Sequence, residues 1–265
     1  MYKFDQENHI HTLDGASLIG TSSMASVLAK PLTYWASGLA CEKFGWINKG
    51  NIKKGFEKKE KRLSVALARR EEITKLNDED YLKLLDEAYS AHATKLKDSA
   101  SDGVDLHAEC ERFVRFCMET GIPTPGTEDA KMFDNKIIPF IEWTHKNVKR
   151  FLWSEAHCYS KELWLGGISD CGYEDMEGKY AILDFKSSKE VYLSQFWQCV
   201  GYAIQIEENG LFTSEGELTM KLDKPISYVS VLPFGMEKPD VFSNHDISGG
   251  KDAVKAMLTL YKKMN

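Results

Sequence analysis

The run YAILDFKSS, residues 180–188, sets two charged side chains inside an otherwise apolar segment. Its β-branched and aromatic content predicts a strand. Alternation along a strand puts Ile182, Asp184 and Lys186 on one face, and Leu183 and Phe185 on the other, where they need a core. Two more strand-like runs precede it, FLWSEAHCYS (151–160) and ELWLGGISDCGYED (162–175). Gly178, between Glu177 and Lys179, marks a hairpin turn linking the second run to the third. Residues 189–208 then read as a helix, ISYVSVLPF (226–234) as a last strand and residues 249–263 as a closing helix.

The first 150 residues have a different character and read almost entirely as helix. After a loose lead-in over residues 1–15, residues 22–46 are helical, capped by Ser22 or Ser23 and divided by Pro31. Leu28, Leu32, Trp35, Leu39 and Phe44 recur at roughly helical spacing and are expected in a core. Residues 78–97 form another helix, the polar stretch KDSASDG a break, and GVDLHAECERFVRFCMETG a helix ending at Gly121. Residues 128–149 return to helix. The expected organisation is a helical N-terminal region, residues 1–100, packed on a core formed by residues 101–265.

The chain has 265 residues, 43% hydrophobic and 28% charged, as in ordinary globular proteins. No apolar run is long enough to span a bilayer, so no membrane partner is expected. The opening MYKFDQENHIH is polar and unlike a signal peptide, which points to a cytoplasmic setting with six reduced cysteines. None of these forms a CxxC pair. The net charge of −6 argues against a general coat of positive charge but not against a local basic patch. Residues 49–70 supply one, with nine Lys or Arg against two Glu. Lys53, Lys54, Lys58, Lys59, Lys61 and Arg62 form either a solvated helix face or a contact to a phosphate backbone.

The candidate chemistry gathers around residues 166–202. Asp170 follows Gly166 and Gly167 on the strand before Asp184, and glycines there let a neighbour approach closely. Carboxylates on neighbouring strands suit a hard divalent cation, which prefers oxygen ligands and keeps some of its waters. A lysine beside them can orient or deprotonate a water, or stabilise charge on a phosphate; burial beside metal ions would lower its pKa and favour the basic role. The plain alternative for Asp184 and Lys186 is an exposed salt bridge. His107 and Glu111 share one helix face, and a lone helical histidine is often only a satisfied surface or core residue. Glu155 is either a strand-edge ion-pair partner or an acid supporting the site. Nucleotide-binding P-loop, HExxH and GxSxG patterns are all absent from the sequence.

Taken in order, GxxxHxxxE (Gly103, His107, Glu111), GGxxD (Gly166, Gly167, Asp170), DxK (Asp184, Lys186) and QxxxY (Gln198, Tyr202) resemble the RecB-like branch of the PD-(D/E)XK nucleases. The resemblance covers about residues 100–235. It implies an α/β restriction-endonuclease-like core, with a mixed central sheet flanked by helices and a helical N-terminal extension. It also implies one or two Mg²⁺ or Mn²⁺ ions held by His107, Asp170, Asp184 and the backbone carbonyl of Phe185, with Lys186 as the catalytic lysine. Glu111, Glu155, Ser187, Gln198 and Tyr202 would support the site or contact DNA. The implied partner is DNA, as single strands or duplex ends, in a bacterial or phage-infected cell, with a separate helicase or recombinase. The implied activity is an exonuclease; a structure-selective endonuclease and a non-catalytic DNA-binding protein on the same fold are the alternatives. The stretch SSMASVLAKPLTYWASGLA is similar to the lead helix of phage and prophage exonucleases of this branch. Its iron–sulfur members carry a close-set cysteine trio downstream; here no cysteine follows Cys199, so no cluster is expected.

Overall fold

The fold follows from a strand that must be buried on both sides. In a computed structural model describing residues 1–29, 33–47 and 59–265, Tyr180–Lys186 lies inside the main sheet, with Ala181, Leu183 and Phe185 in one core and Tyr180 and Ile182 in another. The elements in chain order are β1 (Tyr2–Asp5), β2 (Ile10–Leu13), β3 (Ala16–Ser17), β4 (Ile19–Gly20), α1 (Thr21–Ala25), α2 (Thr33–Glu42), α3 (Lys59–Ile73), α4 (Asp78–Thr120), α5 (Glu128–Lys131), α6 (Ile138–Asn147), β5 (Val148–Ser160), β6 (Leu165–Asp175), β7 (Tyr180–Lys186), α7 (Leu193–Asn209), β8 (Leu211–Phe212), β9 (Leu218–Met220), β10 (Ile226–Pro233), β11 (Phe242–Asn244) and α8 (Ile247–Met264).

The main sheet runs β11-β10-β7-β6-β5-β8-β9, with β4 pairing with β6. It is mixed: β10 is parallel to β7, while β5, β6 and β7 form an antiparallel meander. The parallel pair requires a crossover, and α7 supplies its helix. On one face Phe196, Cys199, Val200 and Ala203 of α7 and Val254, Met257 and Leu258 of α8 pack on the sheet. On the other, Cys110, Phe113, Val114 and Cys117 of α4 join Phe140 and Ile141 of α6. The result is a mixed α/β protein with a central sheet between helices. All six cysteines are free thiols, and only Cys41 is exposed.

The chain divides into two compact units, Met1–Ala29 with Gly103–Asn265, and Lys30–Asp102. The expected division differs from this, because the first 29 residues group with the sheet unit, and of these residues 1–20 carry β1 to β4 and only residues 21–28 are helical. Residues 1–15 are not a loose lead-in: β1, β2 and β3 form an antiparallel sheet, with an Asp5-capped turn whose Oδ1 accepts the Glu7 and Asn8 amides. KDSASDG does not break the helix either, since α4 continues from Asp78 to Thr120. That stretch has no proline, and Ser, Asp and one Gly weaken a helix without forbidding it. In the second unit, α2 and α3 are joined to their surroundings by Arg69 Nε donating to Lys43 O and by the Lys43–Glu87 ion pair. Leu28 and Phe44, expected in a core, are 40% and 38% exposed, and Leu32 and Pro31 lie outside the described residues. Among the described residues no helix is long and apolar enough to cross a membrane.

The small N-terminal sheet is held by a ring cluster. Tyr2 Oη shares a 2.7 Å hydrogen bond with His11 Nδ1, lies 3.3 Å from His157 Nδ1, and its ring stacks on Tyr159. Burial, then the neighbouring His157 and His9, push His11 down to about 4. The unfolded chain protonates this imidazole near its ordinary value, so between about pH 6.5 and 4 the unfolded state binds more protons than the native one. Stability is therefore expected to be full above about pH 6.5 and to fall as the pH drops towards 4, by on the order of 2 kcal/mol for this group. Urea midpoints from pH 7 to 4 measure the slope. His11→Gln, which keeps a hydrogen-bonding partner for Tyr2, should flatten it, and an unchanged slope would remove His11 as its source.

Candidate metal centre

Three elements deliver the candidate ligands. The ladder between β6 and β7 includes Cys171 opposite Leu183; one step further along both strands are Asp170 and Asp184. Asp184 lies on the Ile182 face, towards α7, while Asp170 borders His107 of α4. Asp170 Oδ2 accepts the Phe185 amide at 2.7 Å, which fixes this carboxylate beside the end of β7. On α4, Cys110, Phe113, Val114 and Cys117 are buried against the sheet, and His107 follows the same stripe one turn earlier. Its Nε2 lies 2.7 Å from the Phe185 carbonyl oxygen and 3.5 Å from Asp170 Oδ2. A carbonyl can only accept, so in this state the Nε2–H donates; ligation of a cation through Nε2 needs the proton on Nδ1.

Asp184 is 1% exposed, and Lys186 Nζ lies 2.6 Å from its Oδ2. The contact is an ion pair whose angles miss hydrogen-bond geometry, so Oδ2 is a buried carboxylate oxygen with no hydrogen-bond partner among the described residues. Burial raises the Asp184 pKa; Lys186 pulls it back and Asp170 pushes it further up. Burial works against the Lys186 charge, yet Asp184 and Asp170 outweigh it and hold the ammonium above the ordinary lysine range. Burial thus dominates at Asp184, whereas at Lys186 two carboxylates, Asp184 and Asp170, act on one ammonium, an excess of negative charge.

Glu155 adds to the same excess. Burial, then Asp170 and Glu111, push its carboxyl up to about 8, with His107 and Arg115 acting the other way. Its φ of 46° is in the left-handed region, rare for a residue with a side chain. Glu111 is turned to Arg115, whose Nε is 2.8 Å from its Oε1. Ser187 is exposed just past β7. Gln198 and Tyr202 are buried, with Gln198 Nε2 donating to Tyr202 Oη at 2.7 Å and to Ser22 Oγ at 3.1 Å. The Tyr202 ring occupies the space a side chain at Gly167 would take, with Cε1 only 2.6 Å from an added Cβ.

Sequence reasoning missed the link through α1. Gln205 Nε2 donates to Thr21 Oγ1 at 2.8 Å, and Thr21 Oγ1 donates to Gly166 O at 3.0 Å. Gln198, Tyr202 and Gln205 fall on one helix face at spacings of four and three, and a polar stripe on a helix this apolar was the available signal. Of the basic run, Lys53, Lys54 and Lys58 lie outside the described residues, Lys59 opens α3, and Lys61 and Arg62 are exposed on α3.

Among the described residues no group of three or more His, Cys, Asp and Glu side chains is assembled as a metal cluster. The converging donors include a backbone carbonyl: His107 Nε2 stands 2.7 Å from Phe185 O and 3.5 Å from Asp170 Oδ2. Adjacent ligands of an octahedral ion with bonds of about 2.1 Å are about 3 Å apart. One nitrogen, one carbonyl and two carboxylates with too little positive charge between them thus fit a hard divalent cation. No protein-family model matches the chain, and no curated protein matches it.

Proposed function

We propose that this chain is a divalent-metal-dependent deoxyribonuclease with a PD-(D/E)XK core of the RecB-like kind, acting as an exonuclease on DNA ends or single strands. The observation that carries the reading is the charge imbalance at the end of β7. The buried Asp184, with Asp170 and Glu155 near it, is answered by the Lys186 ammonium and by an imidazole that borders Asp170. His107, Asp170, Asp184 and the Phe185 carbonyl would hold Mg²⁺ or Mn²⁺, which when bound neutralises phosphate charge and makes a water acidic enough to attack. Lys186 would donate hydrogen bonds to the attacking water or to a phosphate oxygen, or help to deprotonate that water. Asp170 stays oriented through the Phe185 amide. Tyr202, held by Gln198, fills the space over Gly167 behind the lysine. No P-loop occurs in this sequence, which suits cleavage that needs no ATP, alone or beside a helicase.

Purified protein with Mg²⁺ or Mn²⁺ is expected to degrade linear single-stranded DNA and to spare a closed single-stranded circle of the same sequence. Cutting of the circle would replace the exonuclease with an endonuclease. Intact linear, nicked, single- and double-stranded DNA with both metals would favour the non-catalytic DNA-binding alternative.

A further inference from the structure

A groove of ≈ 440 Å³ opens in the sheet unit along β5, between Arg115 and Met118 of α4 and Thr219 of β9, and Ser154 and Glu155 line it. In the β5–β6 ladder Ser154 is opposite Cys171 and Ala156 opposite Ser169, so Glu155 stands across from Asp170. The groove therefore starts one strand away from a candidate metal ligand. Its floor includes the apolar Leu152 and Trp153. Arg115, exposed, is engaged by Glu111. Met118 and Phe212 also line the groove, and Met118 is exposed.

We propose that this groove is the subsite for one nucleotide of an unpaired strand next to the scissile phosphate, with Arg115 on its phosphate and the apolar lining of Met118 and Phe212 against its base. The inference rests on the nuclease reading of the neighbouring centre. The volume is within the range of single-ligand pockets, about 300–1,000 Å³, and a duplex whose major groove alone is about 12 Å wide cannot enter. Phosphate would compete with Glu111 for the Arg115 guanidinium, whose planar fork suits both. The consequence is a preference for unpaired over paired ends.

Thr219 and Arg115 are exposed, so Thr219→Trp fills the groove and Arg115→Gln removes its cation without touching the core. With Mg²⁺ and a single-stranded oligonucleotide, each is expected to raise KM about tenfold while kcat stays within about twofold, the pattern of lost ground-state binding. With Ca²⁺ in place of Mg²⁺, anisotropy of a fluorescein-labelled oligothymidylate should show Kd weakened about tenfold, and Arg115→Gln should lower the salt slope by about one. Thermal melts check that both variants fold. If the wild type cleaves while both variants keep its KM and Kd, the groove is off the strand path and the metal centre stands. If the wild type binds without cleaving and both variants bind more weakly, the subsite stands and the catalytic reading falls. A wild-type chain that neither cleaves nor binds overturns both.

Discussion

Asp184→Asn is expected to lower metal-dependent DNA cleavage about a thousandfold or more and to abolish the rise in melting temperature that Mg²⁺ or Mn²⁺ gives the wild type. Lys186→Gln should separate these two readouts. It removes the group that meets the water or phosphate, so cleavage should fall by a similar factor. Yet Lys186 is not a ligand, and its ammonium lies 2.6 Å from Asp184 Oδ2, where it competes with a cation for that oxygen. Removing it leaves the carboxylates with less positive charge, so the metal-induced shift should persist and appear at lower metal concentration. Ligand stabilisation grows by about 1.4 kcal/mol for each tenfold excess over Kd, so a metal titration followed by differential scanning fluorimetry resolves the change. A wild-type shift in Asp184→Asn would move the ion away from β7. Full cleavage by Lys186→Gln would remove the lysine from the chemistry.

The sheet was legible because its signal is local. In β7, alternation predicted Leu183 and Phe185 inside, and they are; it also set Asp184 on the Ile182 face, towards α7. β5, β6, β10, α7 and α8 appear within a few residues of their expected positions. β8, β9 and β11 have two or three residues each, too few for any periodicity to show. The N-terminal strands were missed because their polar sequence stabilises a sheet through Tyr2, which reaches a histidine 155 residues away. At the candidate centre the sequence named His107, Asp170, Asp184, Phe185 and Lys186, and the fold brings these within short contacts. What the motifs could not carry was the electrostatics. Whether Lys186 is shifted up or down depends on which carboxylates border it, and that is fixed only when β6 and β7 pair and bring Asp170 beside Asp184. The partnering of Glu111 by Arg115 is likewise a choice among neighbours that spacing leaves open.

A glycine with almost no room for change lies outside the GGxxD motif, two residues after Asp170. Gly172 is opposite Trp153 in the β5–β6 ladder, and the indole lies across it. A Cβ at Gly172 would sit 2.1 Å from Cη2, 2.2 Å from Cζ2 and 2.3 Å from Cζ3 of that ring. The ring has little freedom to leave: Trp153 is 4% exposed, and its Nε1 donates to the buried Ser169 Oγ at 3.1 Å. Gly172→Ala must therefore expel the indole from the core or spread the two strands, and is expected to cost about 3 kcal/mol or more. Asp170 is only two residues from Gly172 on β6, so spreading the strands would also disturb the carboxylate and weaken metal-induced stabilisation. Urea unfolding measures the first effect and metal titration the second. The decisive comparison is Gly172→Ala in a Trp153→Ala background: with the ring gone the methyl group has space, and the cost of the substitution should fall by more than about 1 kcal/mol, well above the additivity error of independent sites. An equal cost in both backgrounds would mean that Gly172 is required by the strand's own conformation and that the indole merely fills the gap it leaves.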